Sequence, residues 1–442
     1  MRDDGRMRPA EAMSGFQIGA VAICMVINML DGFDVLAIAF AGPPIAHAWA
    51  LNPEALGLLF SASPIGMMLG SVFVSPVGDW LGRRALVLIG LVIITAGMLL
   101  SAAAGGYDEL LALRVITGIG IGSLLSSINT VVAEYSPLHR KDLSVAVMSV
   151  GYPIGGTVGG AMSVYLIHRF GWPSVFVLGG VLSAILIPVV WVRLPESLDF
   201  LVSKRPANAL ARANDLLRRM KKPPLAALPE IHAAQQESLR NLFDGAFAWR
   251  TLLICSAYFL SMLPLYFMLQ WTPKVLIDAG LSFNSGISGA VLMNAGGVVG
   301  GLLFGLTTRR TGLRHAASIA MVLFFAAIVV FGFAGVNLTA LLLLAIAVGF
   351  FMIATVVGLY AVIAAMYPVR IRTTGSGLAI GIGRIGAVAG PFIGGVLIQH
   401  GWSRPACCFA LAAPALIAAL IIRRVPLAGE TAVATPALAA AE

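Results

Sequence analysis

Twelve apolar stretches separated by short polar loops dominate the chain. They cover residues 16–43, 55–77, 85–105, 109–132, 143–167 and 172–194, then 250–271, 285–307, 314–335, 338–364, 374–399 and 405–424. Each is near the ~20 residues that a helix needs to cross hydrocarbon. The pattern predicts an all-α membrane protein, with six spans on each side of a longer polar stretch at 195–247. That stretch is rich in Lys, Arg, Pro and Gln, and 208–222 within it predicts a short amphipathic helix on the inner surface. The organisation expected is a six-helix bundle over 1–194, a middle loop over 195–247, a second bundle over 248–424 and a tail over 425–442. The Ala/Pro/Thr-rich tail is expected to be disordered.

Composition agrees with the pattern. Of 442 residues, 59% are hydrophobic and only 11% charged, against roughly a quarter in a soluble domain. The net charge of +9 does not point to nucleic acid, because the basic residues sit in short loops between spans. Among the Lys and Arg residues, Arg114 and Arg384 lie inside spans, and Arg169, Lys274 and Arg404 fall on one side. The rest fall on the other side, together with both termini and the middle loop. That side is expected to be cytoplasmic. The expected location is the cell's inner membrane, with an uncleaved first span. The four cysteines (Cys24, Cys255, Cys407, Cys408) lack metal-ligand spacing and read as packing residues. The histidines fall in loops or near span ends, so no metal site and no cofactor is expected.

The two halves carry a repeat. At an offset of 231, Pro137 matches Pro368, Gly155 matches Gly386 and Gly159 matches Gly390. Each match leaves a basic loop and enters a Gly-rich span, as parallel six-span repeats predict. The Gly151/Gly155/Gly159 stripe and the Gly296/Gly300 pair read as close-packing helix faces. Gly381-x-Gly383-x-x-Gly386 formally matches a dinucleotide fingerprint, but lies in an apolar span without a βαβ setting.

The chemistry concentrates in Asp31-Gly32-Phe33-Asp34 of the first span, which otherwise has no charge. An ionised carboxylate at the bilayer centre costs about 2.5–3.5 kcal/mol on insertion scales. Two acids at i and i+3 share a helix face, and such a pair lowers that cost by keeping a proton on one member. A proton-coupled membrane site needs this. A purely structural bond to a neighbouring helix is the plainer alternative. Arg114 lies roughly 8 Å from the outer end of its span and Asp34 roughly 14 Å from the outer end of its own, at 1.5 Å per residue. A contact of Arg114 with Asp34 or Asp31 is therefore expected in at least one access state. Arg384 falls near the midplane, where transporter substrate sites lie, and a guanidinium there suits bidentate recognition of a carboxylate. Tyr258, Tyr266, Trp271 and Tyr360 are candidate ring-stacking residues, and Gln270, Asn28, Asn129 and Asn294 candidate polar contacts. All of these also serve as ordinary core or interfacial residues.

The loop Gly78-Asp79-Trp80-Leu81-Gly82-Arg83-Arg84 resembles the inner loop 2–3 signature of the major facilitator superfamily. Asp79, Gly82, Arg83 and Arg84 match, whereas Ser75, Val77 and Trp80 depart from it. The resemblance implies two pseudo-symmetric six-helix bundles and an Asp79 that docks across the halves. The matching second-half loop, Thr307 to Arg314, has Arg309 where an acid is usual. Within the superfamily, the double-Asp string resembles the first-span signature of the aromatic acid:H⁺ symporters. Arg114 with Gly118, Gly120 and Gly122, Glu134 to Pro137, Pro195-Glu196-Ser197, and Tyr367-Pro368 with Arg372 and Arg384 agree with it.

That likeness implies inward transport of small aromatic carboxylates (hydroxybenzoate-like) by proton symport and alternating access, with the protein acting as a monomer in the lipid bilayer. Asp31 and Asp34 would couple protons, and Arg384, Arg114, Tyr258, Gln270 and Trp271 would bind substrate. Asp79, Arg83, Arg84, Glu134, Arg140 and Arg372 would gate. The alternative is a superfamily transporter of another small organic anion, a sugar or a drug. Pro195-Glu196-Ser197 is shared with sugar porters, but their Pro-Glu-Thr string after the last span is replaced by Val425-Pro426-Leu427. Gly386-x-x-x-Gly390-Pro391-x-x-Gly394-Gly395 imitates a drug-antiporter motif in the eleventh span instead of the fifth. An enzyme would need a nucleophile–base pair or metal ligands at one depth, and none is visible in the spans.

Overall fold

Capping and punctuation residues set where the helices begin. Ser14 opens α1 (Gly15–Ala48) with a capping box, its hydroxyl accepting from the Gln17 N–H while the Gln17 side chain accepts from the Ser14 N–H. Asn52 caps α2 (Pro53–Leu81), which starts on a proline and passes through a π turn and a 3₁₀ turn over Gly70–Val77. The computed structural model describes residues 13–137, 140–229, 242, 246–335, 337–367 and 369–426. The first half continues with α3 (Arg83–Ala102), α4 (Tyr107–Tyr135), α5 (Lys141–Phe170) and α6 (Pro173–Arg193). Two short helices follow, α7 (Leu198–Lys204) and α8 (Ala209–Arg219). The second half holds α9 (Ala246–Asp278), α10 (Phe283–Thr311), α11 (Leu313–Phe333), α12 (Leu338–Met366), α13 (Val369–Gln399) and α14 (Arg404–Arg424).

Twelve of these are long and apolar enough to cross a membrane. Helix α1 runs on past residue 43, through Pro43 and Pro44, to Ala48. A proline removes one donor but its carbonyl still accepts, and bonds from Trp49 to Ile45 and from Leu51 to Ala46 close the end. Helix α8 forms inside the predicted 208–222 window, but its apolar side is not free for lipid. Ala213, Leu216 and the following Met220 are buried against the protein, and Arg219 stacks over the Phe16 ring at 5.7 Å.

Pairing is the same in both halves. Helix α1 packs on α5 as α9 packs on α13, α2 on α4 as α10 on α12, and α3 on α6 as α11 on α14. Glycine makes the first two crossings. A Cβ on Gly155 would stand 1.7 Å from the Met29 carbonyl oxygen, and one on its repeat partner Gly386 would stand 2.3 Å from that of Phe259. Gly122 and Gly349 would meet Met67 and Met293 at 2.2 and 1.7 Å in the same way. Helix backbones touch at these points, where any side chain would hold them apart.

The halves meet along three seams, α2 with α13, α5 with α10 and α1 with α9. The named contacts lie between mid-depth and the end where α1 turns into α2. Gly57 and Gly395 abut there, with a Cβ on Gly395 only 2.5 Å from the Pro53 carbonyl oxygen and 3.0 Å from Gly57 Cα. The Ser61 hydroxyl donates to the Val388 carbonyl at 2.7 Å.

Candidate functional site

Asp31 and Asp34 lie near the middle of α1, 3% and 0% exposed. Their i, i+3 spacing separates them by about 60° around the helix, and that angle gives them different neighbours. Asp34 turns into the first half. A Cβ on Gly179 of α6 would stand 2.6 Å from its Oδ1, and Arg114 of α4 is the cation it feels. Arg114 is fully buried. Its Nη2 donates to Thr117 Oγ1 at 2.9 Å and Ser101 Oγ at 3.1 Å and contacts Met98 Sδ at 3.0 Å, and its guanidinium lies 4.8 Å from the centre of the Phe176 ring. Among the described residues, both Asp34 oxygens and the Arg114 Nε and Nη1 lack hydrogen-bond partners. The expected acid–arginine pair thus shares one sealed pocket without a direct ion pair.

Asp31 turns toward the second half. Its electrostatic neighbours are Asp34 on its own helix and Arg384 on α13. Arg384 stands midway along α13 and is 8% exposed. Three tyrosines feel its charge: Tyr152 of α5, and Tyr258 and Tyr266 of α9. Tyr360 of α12 meets Tyr258 edge to face, with ring centres 6.1 Å apart. Gly383 lets Tyr258 in beside Arg384, because a Cβ there would stand 2.2 Å from the tyrosine ring. The result is a mid-depth centre with an acid from one half, a guanidinium from the other and phenol rings from both. The Asp31 Oδ1 and Tyr152 Oη atoms are buried without partners among the described residues. Groups left so cost about 1–3 kcal/mol each, more for a charge.

Gln270 and Trp271 sit one helical turn beyond Tyr266, in the seam. Gln270 Nε2 donates to the Val35 carbonyl of α1 at 3.3 Å, and its Oε1 has no partner among the described residues. The Trp271 indole N–H donates to the Pro391 carbonyl at 2.9 Å and its ring meets Phe60 edge to face at 5.2 Å. Trp271 is 1% exposed, so its ring is committed to helix contacts. Asn294 donates to the Ala290 carbonyl of its own helix and faces Gly156 across the α5–α10 seam. Asn28 donates to Met148 of α5 and Asn129 to Leu125 of its own helix.

The profile of the Major Facilitator Superfamily matches residues 23–314 and 290–438. The chain belongs to that superfamily. It is 33% identical to the gallate transporter of Pseudomonas putida over 93% of this chain and 92% of the relative. It is 30% identical to the 4-hydroxybenzoate transporter PcaK of Pseudomonas aeruginosa, over 92% of each. Among solved structures, the proton:xylose symporter XylE bound to 6-bromo-6-deoxy-D-glucose superposes with a TM-score of 0.74. It is 17% identical, covering 93% of this chain and 96% of XylE, which speaks to the fold alone.

The superfamily loop signature organises the basic end of the first half. Asp79 pairs with Arg83 of its own loop at 2.5 Å. Gly82 is left-handed (φ +100°), and a Cβ there would stand 2.4 Å from the Glu196 carboxylate, so two constraints require glycine. Glu196 accepts from the Arg84 N–H at 3.1 Å, while the Arg84 guanidinium donates to the Trp191 carbonyl. Glu134 accepts from the Ser197 hydroxyl and the Leu198 N–H, both at 2.8 Å, and the Tyr135 hydroxyl donates to the Glu196 carbonyl at 2.6 Å. Arg140 is exposed. The side chains of Arg309 and Arg372 lie outside the described residues. Two residues, Glu196 at the basic end and Tyr152 at the mid-depth centre, escaped the sequence reading as site residues. Glu196 stood in a quoted string without a role, and Tyr152 was hidden between Gly151 and Pro153, where only its place beside the glycine stripe marked it.

Proposed function

We propose that this superfamily member is a proton symporter that carries small aromatic carboxylates of the hydroxybenzoate type into the cell by alternating access. It would act as a monomer in the inner membrane with both termini cytoplasmic, the side on which the basic loops lie. The observation that carries the reading is the mid-depth juxtaposition of Asp31 and Arg384 on opposite halves. A buried guanidinium that faces a carboxyl across a mobile seam suits an anionic substrate. The surrounding phenol rings of Tyr152, Tyr258 and Tyr266 suit an aromatic one. The two relatives named above, a gallate transporter and a 4-hydroxybenzoate transporter, support the same class.

In this reading the seams at Gly57–Gly395, Ser61–Val388 and Trp271–Phe60 close the outer side, so the conformation faces inward. Asp31 and Asp34 take up protons while the site faces outward, which frees Arg384 to bind the substrate carboxylate. Arg114 and Asp34 form the half-internal charge pair that follows the proton. The Asp79, Arg83, Arg84, Glu134, Arg140 and Arg372 set steadies the inner end. Chemistry on the substrate is not required of any residue.

The test is uptake of labelled 4-hydroxybenzoate and gallate into cells that lack their own carriers, with and without a protonophore. Accumulation is expected to collapse with the protonophore and to fall at least ten-fold in Asp31→Asn and Asp34→Asn, a loss of about 1.4 kcal/mol or more. Uptake indifferent to the gradient and to both substitutions would overturn the proposal.

A further inference from the structure

Tyr152 is a partly buried residue with a buried hydroxyl, and the reading above uses its ring but gives that hydroxyl no task. It sits on α5 where that helix crosses α1 at the double-Asp string. A Cβ on Gly32 would stand 2.0 Å from the Tyr152 carbonyl oxygen and 2.9 Å from its Cα, so the two backbones touch between Asp31 and Asp34. From that anchor the ring reaches into the centre between the halves, where it feels Asp31, Tyr266 and Arg384. Its hydroxyl is buried and unpartnered among the described residues, as is Asp31 Oδ1. An orphan donor and an orphan acceptor therefore share a site that also holds the substrate-facing arginine.

A hydroxyl offers one donor, so Tyr152 satisfies one carboxylate at a time. We propose that Tyr152 is the positioning residue that links the proton site to the substrate site. Its O–H bonds the Asp31 carboxylate when Asp31 is ionised, and turns to the substrate carboxylate when Asp31 holds its proton. The titratable and charged groups facing Asp31 are Tyr152 from α5, Tyr266 from α9 and Arg384 from α13. Asp34 lies along its own helix, with Arg114 of α4 facing Asp34. Helix α6 has no acid and only Arg193 as a base, at its far end, and α2 has only Glu54 and Asp79, near its ends. Neither competes for the hydroxyl. The substrate half of this inference rests on the proposed function, whereas the Asp31 half does not.

The test is infrared difference spectroscopy on the purified full chain, paired with uptake kinetics. The carboxylate band that Asp31→Asn removes, recorded without substrate at alkaline pH, is expected to shift in Tyr152→Phe. The apparent KM for 4-hydroxybenzoate is expected to rise roughly ten-fold in that variant with the maximal rate little changed, as for one lost hydrogen bond to a charged group. Phenylalanine keeps the ring and removes only the hydroxyl, so the variant should fold, with its melting temperature lowered by no more than one lost hydrogen bond accounts for. An Asp31 band that stays in place in Tyr152→Phe overturns the inference, whatever uptake shows. A shifted band in a protein that takes up no aromatic acid keeps the Tyr152–Asp31 link and instead removes the functional reading.

Discussion

Adding a single methyl group at Gly395 tests whether the α2–α13 seam is a gate. In Gly395→Ala the new Cβ would lie 2.5 Å from the Pro53 carbonyl oxygen, 3.0 Å from Gly57 Cα and 3.3 Å from Glu54 Cα. All three are backbone atoms of a packed helix, so no side chain can rotate away. The remaining relief is to part α2 from α13, and these helices belong to different halves. Overpacking of this kind costs about 1–3 kcal/mol. Charged to the seam-closed state alone, that shifts the open-to-closed ratio by roughly 5- to 150-fold. Ser61 reports the change, since it is fully buried in the seam. In a Ser61→Cys background, labelling by a membrane-impermeant maleimide should accelerate by that factor when Gly395→Ala is added. Gly155→Ala is the control: its Cβ would meet Met29 at 1.7 Å inside one half, so it should lower folded yield and leave the labelling rate of the surviving protein unchanged. A folded Gly395→Ala protein that labels at the parent rate would refute the gate.

Three further outcomes follow from the described contacts. Arg384→Lys keeps the charge but loses the planar fork, so uptake of aromatic acids should fall at least ten-fold while thermal stability changes little; unchanged uptake would dissociate Arg384 from the substrate. Arg114→Ala leaves Asp34 in a sealed pocket without its cation, and should destabilise by about 3–5 kcal/mol. Arg114→Ala combined with Asp34→Asn should recover part of the lost melting temperature, and additive losses would show that the two do not share a pocket. Gly82→Ala forces a side chain into a left-handed conformation against Glu196 and should cost about 1–3 kcal/mol. A melting curve identical to the parent would show that the loop adjusts freely.

Hydrophobic length alone was enough to place all twelve membrane helices, because a span must satisfy its own backbone and cover the bilayer whatever its neighbours are. The repeat was legible for a similar reason: backbone contact between helices tolerates only glycine, so Gly155 and Gly386 mark the same crossing in both halves. The candidate site was legible as residue types, since buried charges in apolar spans stand out, and Asp31, Asp34, Arg114 and Arg384 were visible at once.

How those charges are shared was not legible. The i, i+3 spacing suggested one carboxyl pair on one face, but the tertiary structure sends Asp34 to Arg114 within a half and Asp31 toward Arg384 across the seam. A rotation of about 60° has no meaning until the neighbouring helices are in place. Tyr152 and Trp271 exchanged prominence for the same reason. An aromatic residue in a span looks alike whether its polar tip is used up on Pro391 or left free beside a carboxylate, and only packing distinguishes them. Likewise, sequence gave the amphipathic period of α8, and the fold decided that its apolar side rests on protein. Sequence patterns record what each helix needs from its solvent; which helix answers that need is a property of the assembled chain.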